Sequence, residues 1–259
     1  MARFKLTLEY EGTRYRGWQV QKNARTVAGA IGDAVERLSG RKDFELYGSG
    51  RTDSGVHALG QVAHLDLNTT LDPERLRFAM NDELPADVNV LGAERVSRRF
   101  HARHDAVLRS YLYQVSRRRT ALGKPFVWWV KDALDASAMR EAARAFAGVH
   151  DFRSFASGHP EKDDETRVKV EAVEVAEAGS LILLRVTGSH FLSKMVRRMV
   201  GVLVECGRGS LAREDLPRLL HAESERPARL TAPPSGLFLE RVLYPGEMLD
   251  RRLRPVLDV

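Results

Sequence analysis

Strand-like and helical patterns alternate in the first half of this chain in an order that few folds share. Residues 4–10 alternate apolar and polar side chains, as a strand with one buried face does. Thr26 is placed to cap a helix that stops at Gly40. The remaining predicted elements of this half are a strand at residues 44–47, a strand at 61–67, a helix at 73–80 and a strand at 88–96. The β-α-β-β-α-β order is that of the split βαβ, or ferredoxin-like, unit.

The second half repeats this order loosely. Its predicted elements are strands at residues 107–115 and 125–130, a helix at 136–146, paired strands at 168–175 and 180–187, a helix at 191–206, a short helix at 216–221 and a strand at 236–244. We therefore predict an α+β fold of two ferredoxin-like halves packed side by side with a central cleft. The predicted domains are residues 1–105, which carry the Asp53 loop, and residues 106–259, which complete the cleft.

Composition narrows the class of protein. Of 259 residues, 43% are hydrophobic and 29% charged, which is enough apolar material for a core and argues against disorder. Lys and Arg exceed Asp and Glu by 41 to 35, so a polyanionic partner is compatible with the charge. Cys206 is the single cysteine. The first ten residues alternate rather than form an apolar run, and no apolar stretch approaches the ~20 residues of a membrane span. A cytoplasmic protein without a membrane segment is expected.

The most chemically specified segment is Gly50 to Ala58, with the sequence Gly-Arg-Thr-Asp-Ser-Gly-Val-His-Ala. Its glycines, together with Gly48 and Gly60 on either side, allow sharp turns and close approach of the backbone to a ligand. Beside Arg51, the Asp53 carboxylate is expected to be ionised and can act as nucleophile, base or metal ligand. The alternative is that Asp53 caps a turn and pairs with Arg51 structurally. The residue types leave both interpretations open.

A basic stretch of the chain, independent of the Asp53 loop, indicates an RNA partner. From Arg95 to Arg119 there are eight arginines against one acidic residue, Asp105. Tyr111 and Tyr113 lie among the arginines and share one face of the predicted strand with Arg109. Arginines beside aromatic rings suit contacts with phosphates and bases.

The histidines raise the question of a metal site. His57 and His64 are seven residues apart, and with Asp53 they could form the ligand set of a metal-dependent phosphoesterase. No cysteine lies near them, and the His-Glu-x-x-His pattern of zinc enzymes is absent from the sequence. We therefore expect structural or RNA-contacting histidines and no metal.

The run around Asp53 closely resembles the signature of the TruA family of tRNA pseudouridine synthases, and further motifs follow in the order of that family over essentially the whole chain. These are Leu8-Glu9-Tyr10-Glu11-Gly12-Thr13, Gly17-Trp18-Gln19, Leu84-Pro85-Ala86-Asp87, Phe100-His101-Ala102-Arg103, Tyr111-Leu112-Tyr113, Asp151-Phe152-Arg153-Ser154-Phe155, Phe191 to Gly201, Thr231-Ala232-Pro233 and Gly236-Leu237-Phe238-Leu239.

The resemblance implies specific roles for five residues. Asp53 would be the aspartate that attacks the target nucleoside. Tyr111 would stack its ring on the uracil, and Arg197 would pair with the catalytic aspartate. Leu237 would form an apolar wall of the pocket, and Arg51 would help to force the target base out of the stem.

The resemblance also implies a homodimer without a cofactor that modifies uridines at positions 38, 39 and 40 in the anticodon stem-loop of tRNA. Secondary RNA-contacting candidates are Arg14, Arg16, His57, Arg103 and Arg109. The main alternative is a non-catalytic RNA-binding protein of the same fold. That alternative predicts loss of the nucleophile or of the stacking ring, whereas Asp53 and Tyr111 are both present.

Overall fold

The computed structural model describes residues 1–158, 166–221 and 223–257, which form two compact units. The first unit comprises Met1–Val107 and Phe238–Leu249, and the second comprises Leu108–Leu237 and Asp250–Val259. Both contain strands and helices, so the predicted α+β class is confirmed. The proposed division after residue 105 stays a prediction.

The chain-order elements of the first half are β1 Ala2–Tyr10, α1 Val27–Ser39, β2 Glu45–Gly48, β3 His57–Leu67, α2 Pro73–Glu83 and β4 Val88–Val96. Those that follow are β5 Leu108–Ser116, β6 Trp128–Trp129, α3 Ala136–Ala143, β7 Gly148–Asp151, β8 Arg167–Ala178, β9 Leu181–Gly188, α4 Met195–Gly207, α5 Leu216–His221, α6 Arg226–Arg229 and β10 Leu237–Leu243. None of the helices in the described ranges is long and apolar enough to cross a membrane.

The sheet of the first unit has β1 between β4 and β3, antiparallel to both. The short strand β2 is antiparallel to β3, and β10 runs parallel to the beginning of β3. Helix α1 begins and ends as its sequence predicts. The Thr26 side chain accepts a hydrogen bond from the backbone N–H of Gly29, and Gly40 ends the helix in the left-handed conformation at φ 66°.

The sheet of the second unit has the order β5-β9-β8-β7 with antiparallel neighbours, and β6 pairs in parallel with β5. Strand β9 is buried along its whole length. Helix α4 is also largely buried, as expected for a helix that is apolar around most of its circumference. Helix α3 packs against α4 and β8.

Two predicted element boundaries are wrong, the beginning of β3 in the first unit and the beginning of α4 in the second. Strand β3 begins at His57 rather than residue 61, so Gly60 lies inside a strand. A Cβ atom at Gly60 would lie 2.9 Å from the carbonyl oxygen of Glu240, so this glycine allows β10 to approach closely instead of forming a turn. Helix α4 begins at Met195 rather than residue 191, because Lys194 has a left-handed φ of 61° that a helix cannot continue through.

Short elements account for the other differences. The strand predicted at residues 125–130 is reduced to β6, and a 3₁₀ turn at Lys124–Phe126 precedes it. The helix predicted at 136–146 ends at Ala143 and continues as a 3₁₀ turn over Arg144–Phe146. Strand β7 and helix α6 have four residues each and were not predicted. Elements this short carry too few residues for a periodic pattern.

Candidate active site

The segment with Asp53 is a loop, residues 49–56, that joins β2 to β3. Its beginning is fixed by the fully buried side chain of Gln61. The Ser49 hydroxyl lies 2.8 Å from Gln61 Oε1, and Gln61 Nε2 donates to the Gly50 carbonyl at 3.0 Å. The Ser49 backbone N–H also donates to Val62 at 2.7 Å. The loop therefore begins from a rigid point on the sheet.

Hydrogen bonds also hold the backbone on both sides of Asp53. The Thr52 carbonyl accepts from the backbone N–H of Trp18 at 3.1 Å, and the Gly55 N–H donates to the Tyr15 carbonyl at 3.2 Å. Asp53 itself is partly buried. Trp18 and Tyr15 both belong to residues 10–18, which we call the bracing segment. The backbone at Thr52 and at Gly55, on either side of Asp53, is thus bonded to a second segment of the chain.

Two glycines of the bracing segment allow this close contact. Gly17 has a φ of 92°, and a Cβ atom there would lie 2.5 Å from the Thr52 carbonyl oxygen. A Cβ atom at Gly12 would lie 1.9 Å from the Val56 carbonyl oxygen. Neither position can accept a side chain without movement of the loop. The glycines of the Asp53 loop suggested its tight geometry, but the glycines that make this contact lie about forty residues earlier.

The bracing segment also contacts the loop through side chains. The Tyr10 hydroxyl and the Thr52 hydroxyl form a buried hydrogen bond of 2.8 Å. The indole of Trp18 packs on Gly48 so closely that a Cβ atom there would lie 2.6 Å from the ring. The Gly17-Trp18 motif thus has a structural explanation, which is to seat the loop.

A polar cluster behind the bracing segment fixes Tyr15. The Tyr15 hydroxyl donates to Asp87 Oδ1, and Arg25 lies 2.9 Å from the Tyr15 oxygen and 3.0 Å from the same carboxylate oxygen. The Arg25 guanidinium also lies over the Tyr15 ring, 4.4 Å from its centre. Burial and the hydrogen bond to Asp87 raise the pKa of Tyr15, so the hydroxyl stays protonated. This cluster links Leu84-Pro85-Ala86-Asp87 to the loop, a role that the sequence did not indicate.

His57 is a support of the loop rather than a surface group. Its side chain is 1% exposed, its Nδ1 accepts from the Gly12 backbone N–H at 3.0 Å, and its ring stacks on Phe238 with 4.9 Å between centres. The burial of His57 does not favour RNA contact by this residue, which stays a prediction. The position of His57 at the start of β3, which the sequence placed in a loop, is the physical reason for its burial.

The arginines assigned to RNA contact in the first unit lie at the surface. Arg14, Arg16 and Arg103 are exposed, and so is Arg51. Arg51 and Arg103 together line a cavity of about 470 Å³ next to the loop. Exposed guanidinium groups can contact phosphates without a large desolvation cost.

In the second unit, Tyr111 lies on β5 and is 9% exposed. The ring of Phe191 meets it edge-to-face, with 5.2 Å between centres and 88° between planes. Gly188 leaves room for Phe191, whose ring would lie 3.0 Å from a Cβ atom at that position. This geometry orients the Tyr111 ring. Arg109 on the same strand donates to the Ser189 carbonyl at 2.7 Å and is partly buried.

Tyr113 does not share the surface that alternation along β5 predicts for it. Its side chain is fully buried, its hydroxyl donates to the Pro233 carbonyl at 2.8 Å, and burial raises its pKa. A Cβ atom at Gly236 would lie 2.6 Å from its ring. Alternation divides a strand into two faces, but β5 is buried on both from Ser110 onward, so the pattern cannot identify an exposed face.

Arg197 is held by the segment that precedes β10, and Leu237 begins that strand. Arg197 Nε donates to the Ala232 carbonyl at 2.8 Å, and the Ala232 N–H donates back to Arg197 at 3.1 Å. One turn further along α4, a Cβ atom at Gly201 would lie 1.6 Å from the Leu230 carbonyl oxygen. The two hydrogen bonds between Arg197 and Ala232 explain the Thr231-Ala232-Pro233 motif, because they orient Arg197. Leu237 is 5% exposed, at the first position of β10.

The metal ligand set of the phosphoesterase hypothesis is not assembled. Across residues 1–158, 166–221 and 223–257, no three His, Cys, Asp or Glu side chains come together in a group that could hold a metal ion. His64 Nδ1 accepts from the Ala102 backbone N–H at 3.2 Å, and burial lowers its pKa to about 4. His64 therefore packs in the core of the first unit.

A family model described as "tRNA pseudouridine synthase" matches residues 7–105 and 142–245 of the chain. The chain belongs to the tRNA pseudouridine synthase family. This result confirms the family that the motifs indicate and, with it, the prediction of an isomerase that acts on tRNA. Asp53, Arg197 and Leu237 lie within the matched stretches, whereas Tyr111 lies between them.

Individual relatives are similar over their whole length. A protein named tRNA pseudouridine synthase A from Agrobacterium fabrum is 40% identical over 264 residues, which cover 100% of this chain and 98% of the relative. Proteins of the same name from Maricaulis maris and Pseudothermotoga lettingae are 42% and 39% identical and cover 95% and 93% of this chain. The similarity therefore includes the stretch with Tyr111.

Proposed function

We propose that this chain isomerises uridine to pseudouridine at positions 38, 39 and 40 in the anticodon stem-loop of tRNA, with Asp53 as the nucleophile. The observation that carries this proposal is the setting of Asp53. Asp53 is partly exposed, on a loop whose backbone is hydrogen-bonded on both sides to the bracing segment. A nucleophile must be held in one position and remain accessible, and this loop meets both conditions.

The reaction suits a site that offers a carboxylate and a closed pocket. The N1–C1′ bond of the uridine breaks, the uracil turns, and a C5–C1′ bond forms. C5 loses its proton and N1 gains one, so substrate and product are isomers and nothing is oxidised or reduced. The Asp53 carboxylate attacks either C1′ or C6 of the ring. The detached base must be retained between the two bond changes.

We assign retention and orientation of the base to the second unit. The Tyr111 ring is held edge-on by Phe191 and can stack on the uracil, which offsets ~1–3 kcal/mol of the cost of taking the base out of its helix. Leu237 provides an apolar wall. Arg197, oriented by Ala232, provides the charge that balances the Asp53 carboxylate.

We assign tRNA binding to exposed arginines. Arg51 assists displacement of the target base from the stem, and Arg14, Arg16 and Arg103 contact the phosphate backbone. Arg109, which is partly buried and donates to the Ser189 carbonyl, is a weaker candidate for RNA contact. We further propose two ferredoxin-like halves, which the β4-β1-β3 order with β2 beside β3 supports for the first, and a cytoplasmic homodimer without a cofactor.

The test uses tRNA with tritium at C5 of its uridines. Isomerisation releases the C5 proton, so purified protein in EDTA should release tritium, and replacement of uridines 38, 39 and 40 by cytidine should abolish the release. Asp53→Asn should remove turnover and leave tRNA affinity within a few fold, because phosphate contacts dominate affinity. Asp82→Asn, at an exposed position of α2, is the matched control and should retain turnover.

The same experiment separates the alternative of a non-catalytic RNA-binding protein. That alternative predicts tight tRNA binding without tritium release from the wild-type protein. Wild-type turnover by Asp53→Asn would contradict the assignment of the nucleophile but not the reaction.

A further inference from the structure

The segment of residues 189–194, which follows β9 and leads to α4, is fixed to the sheet of the second unit at its first residue. The backbone N–H of Ser189 donates to the Lys169 carbonyl at 3.0 Å, and the Ser189 carbonyl accepts from Arg109 Nη1 at 2.7 Å. Lys169 lies on β8 and Arg109 on β5, the two strands that flank β9. Both backbone groups of Ser189 are therefore held, from opposite sides of β9.

Arg109, Tyr111 and Gly188 share one face of this sheet. Arg109 and Tyr111 are two residues apart on β5, and Gly188 is the antiparallel partner of Arg109. The ring of Phe191 takes the place of a side chain at Gly188, because a Cβ atom there would lie 3.0 Å from this ring. The same ring meets the Tyr111 ring edge-to-face, with 5.2 Å between centres. Arg109 thus fixes the chain two residues before the ring that orients Tyr111.

The surroundings of Arg109 favour a role inside the protein. Unlike the exposed Arg14 and Arg16, Arg109 is partly buried. A guanidinium group that is partly buried gives up hydration, and its hydrogen bond to the Ser189 carbonyl compensates for that loss. Removal of Arg109 would take this donor away and loosen residues 189–194.

We propose that Arg109 is a positioning residue for the isomerisation, which acts through residues 189–194 and Phe191 to hold the Tyr111 ring in the plane that stacks on the uracil. The proposal rests on the proposed function, which assigns that stacking to Tyr111. Stacking requires a defined plane of the ring, and the perpendicular contact with Phe191 restricts that plane. A misplaced ring lowers the rate and leaves tRNA affinity almost unchanged, because phosphate contacts dominate affinity.

The test compares three variants, singly and in pairs, with Arg140→Ala as the control. The variants are Arg109→Ala, Phe191→Leu and Tyr111→Ala. Arg140 lies on α3 in the same unit and also donates to a backbone carbonyl, that of Val175, at 3.1 Å. The rate constant is measured from single-turnover release of tritium from C5-labelled tRNA, and tRNA affinity is measured by filter binding at several salt concentrations.

The proposal predicts that the losses do not multiply. Arg109→Ala and Phe191→Leu should each lower the single-turnover rate constant about tenfold, and Arg140→Ala should not lower it. Neither change should lower the rate constant further in a protein that already carries Tyr111→Ala, because both act through that ring. Losses that multiply in the double variants, or a wild-type rate constant for Arg109→Ala, would overturn the proposal.

The salt dependence of affinity separates positioning from a phosphate contact. Loss of a phosphate contact weakens tRNA binding and reduces the slope of the logarithm of affinity against the logarithm of salt concentration by about 1. For Arg109→Ala, the proposal predicts an affinity within about twofold of wild type and an unchanged slope. Weaker binding with a reduced slope would overturn the proposal and identify Arg109 as an RNA contact.

Two further measurements keep the outcome unambiguous. Circular dichroism establishes whether Arg109→Ala is folded. If it is not, Arg109→Met replaces it, since methionine keeps an apolar stem without the donor; the same pattern is expected, and its absence would overturn the proposal. Failure of the wild-type protein to release tritium, or an unchanged rate constant for Tyr111→Ala, would refute the proposed function instead.

Discussion

Replacement of Gly17 by alanine tests whether the bracing segment positions Asp53. The new Cβ atom would lie 2.5 Å from the Thr52 carbonyl oxygen and 3.2 Å from the Asp53 carbonyl carbon. Real Cβ contacts are essentially never under 3.0 Å, so the two backbones must separate by about 0.5 Å. A displacement of 1 Å in a catalytic group can cost about a hundredfold in rate, so half that displacement should cost about tenfold.

The same change also lowers stability, through two contributions that a control separates. The left-handed φ of 92° at Gly17 costs about 1–2 kcal/mol for a residue with a Cβ atom. The steric overlap adds about 1–3 kcal/mol. Gly40→Ala has a similar φ of 66° but no atom within 4 Å of the new Cβ, so it should lose only the first contribution and should keep full turnover.

The assays are thermal unfolding and tritium release from C5-labelled tRNA. Gly17→Ala should unfold at a lower temperature than Gly40→Ala, by about 2–4 °C for each additional kcal/mol, and its kcat should fall with little change in tRNA affinity. If Gly17→Ala matched Gly40→Ala in both melting temperature and turnover, the bracing segment would have no part in holding the Asp53 loop.

Three other predictions concern single side chains. Tyr15→Phe removes the hydroxyl that donates to Asp87 and should lower the free energy of unfolding by about 1–3 kcal/mol, measured by chemical denaturation. An unchanged free energy of unfolding would show that this hydrogen bond does not stabilise the fold. Tyr111→Phe keeps the ring and should preserve kcat, whereas Tyr111→Ala should lower it about ten- to a hundredfold in single-turnover assays; equal losses would exclude stacking. Because burial lowers the pKa of His64 to about 4, the stability it contributes is complete above its unfolded pKa of ~6.5 and is lost as pH falls towards 4. His64→Gln should flatten that part of the stability–pH curve, and an unchanged curve would contradict the assignment.

The local elements of this fold were predictable because each depends on residues close in sequence. Helix α1 is an example, since Thr26 and Gly40 determine both of its ends through bonds within the helix itself. The beginning of α4 was not predictable. Phe191 continues the apolar spacing of the helix, but the left-handed conformation of Lys194 depends on its surroundings in the folded chain.

The candidate site shows the same division. The sequence could single out Asp53, because glycines, Arg51 and His57 lie close to it in the chain and because it belongs to the family motif. The role of His57 could not, since its burial depends on Phe238 and its hydrogen bond on Gly12, both remote in sequence.

The sequence by itself determined the family and the α+β class, and it singled out Asp53 as the residue that we propose as the nucleophile. Residue types, short-range periodicity and ordered motifs carry that information. Only the tertiary structure decided how Asp53 is held, because its supports are Tyr10, Gly12, Tyr15 and Gly17, about forty residues earlier in the chain. Hydrogen bonds and steric limits between segments so far apart exist only after β1 and β3 pair, and no local pattern records them.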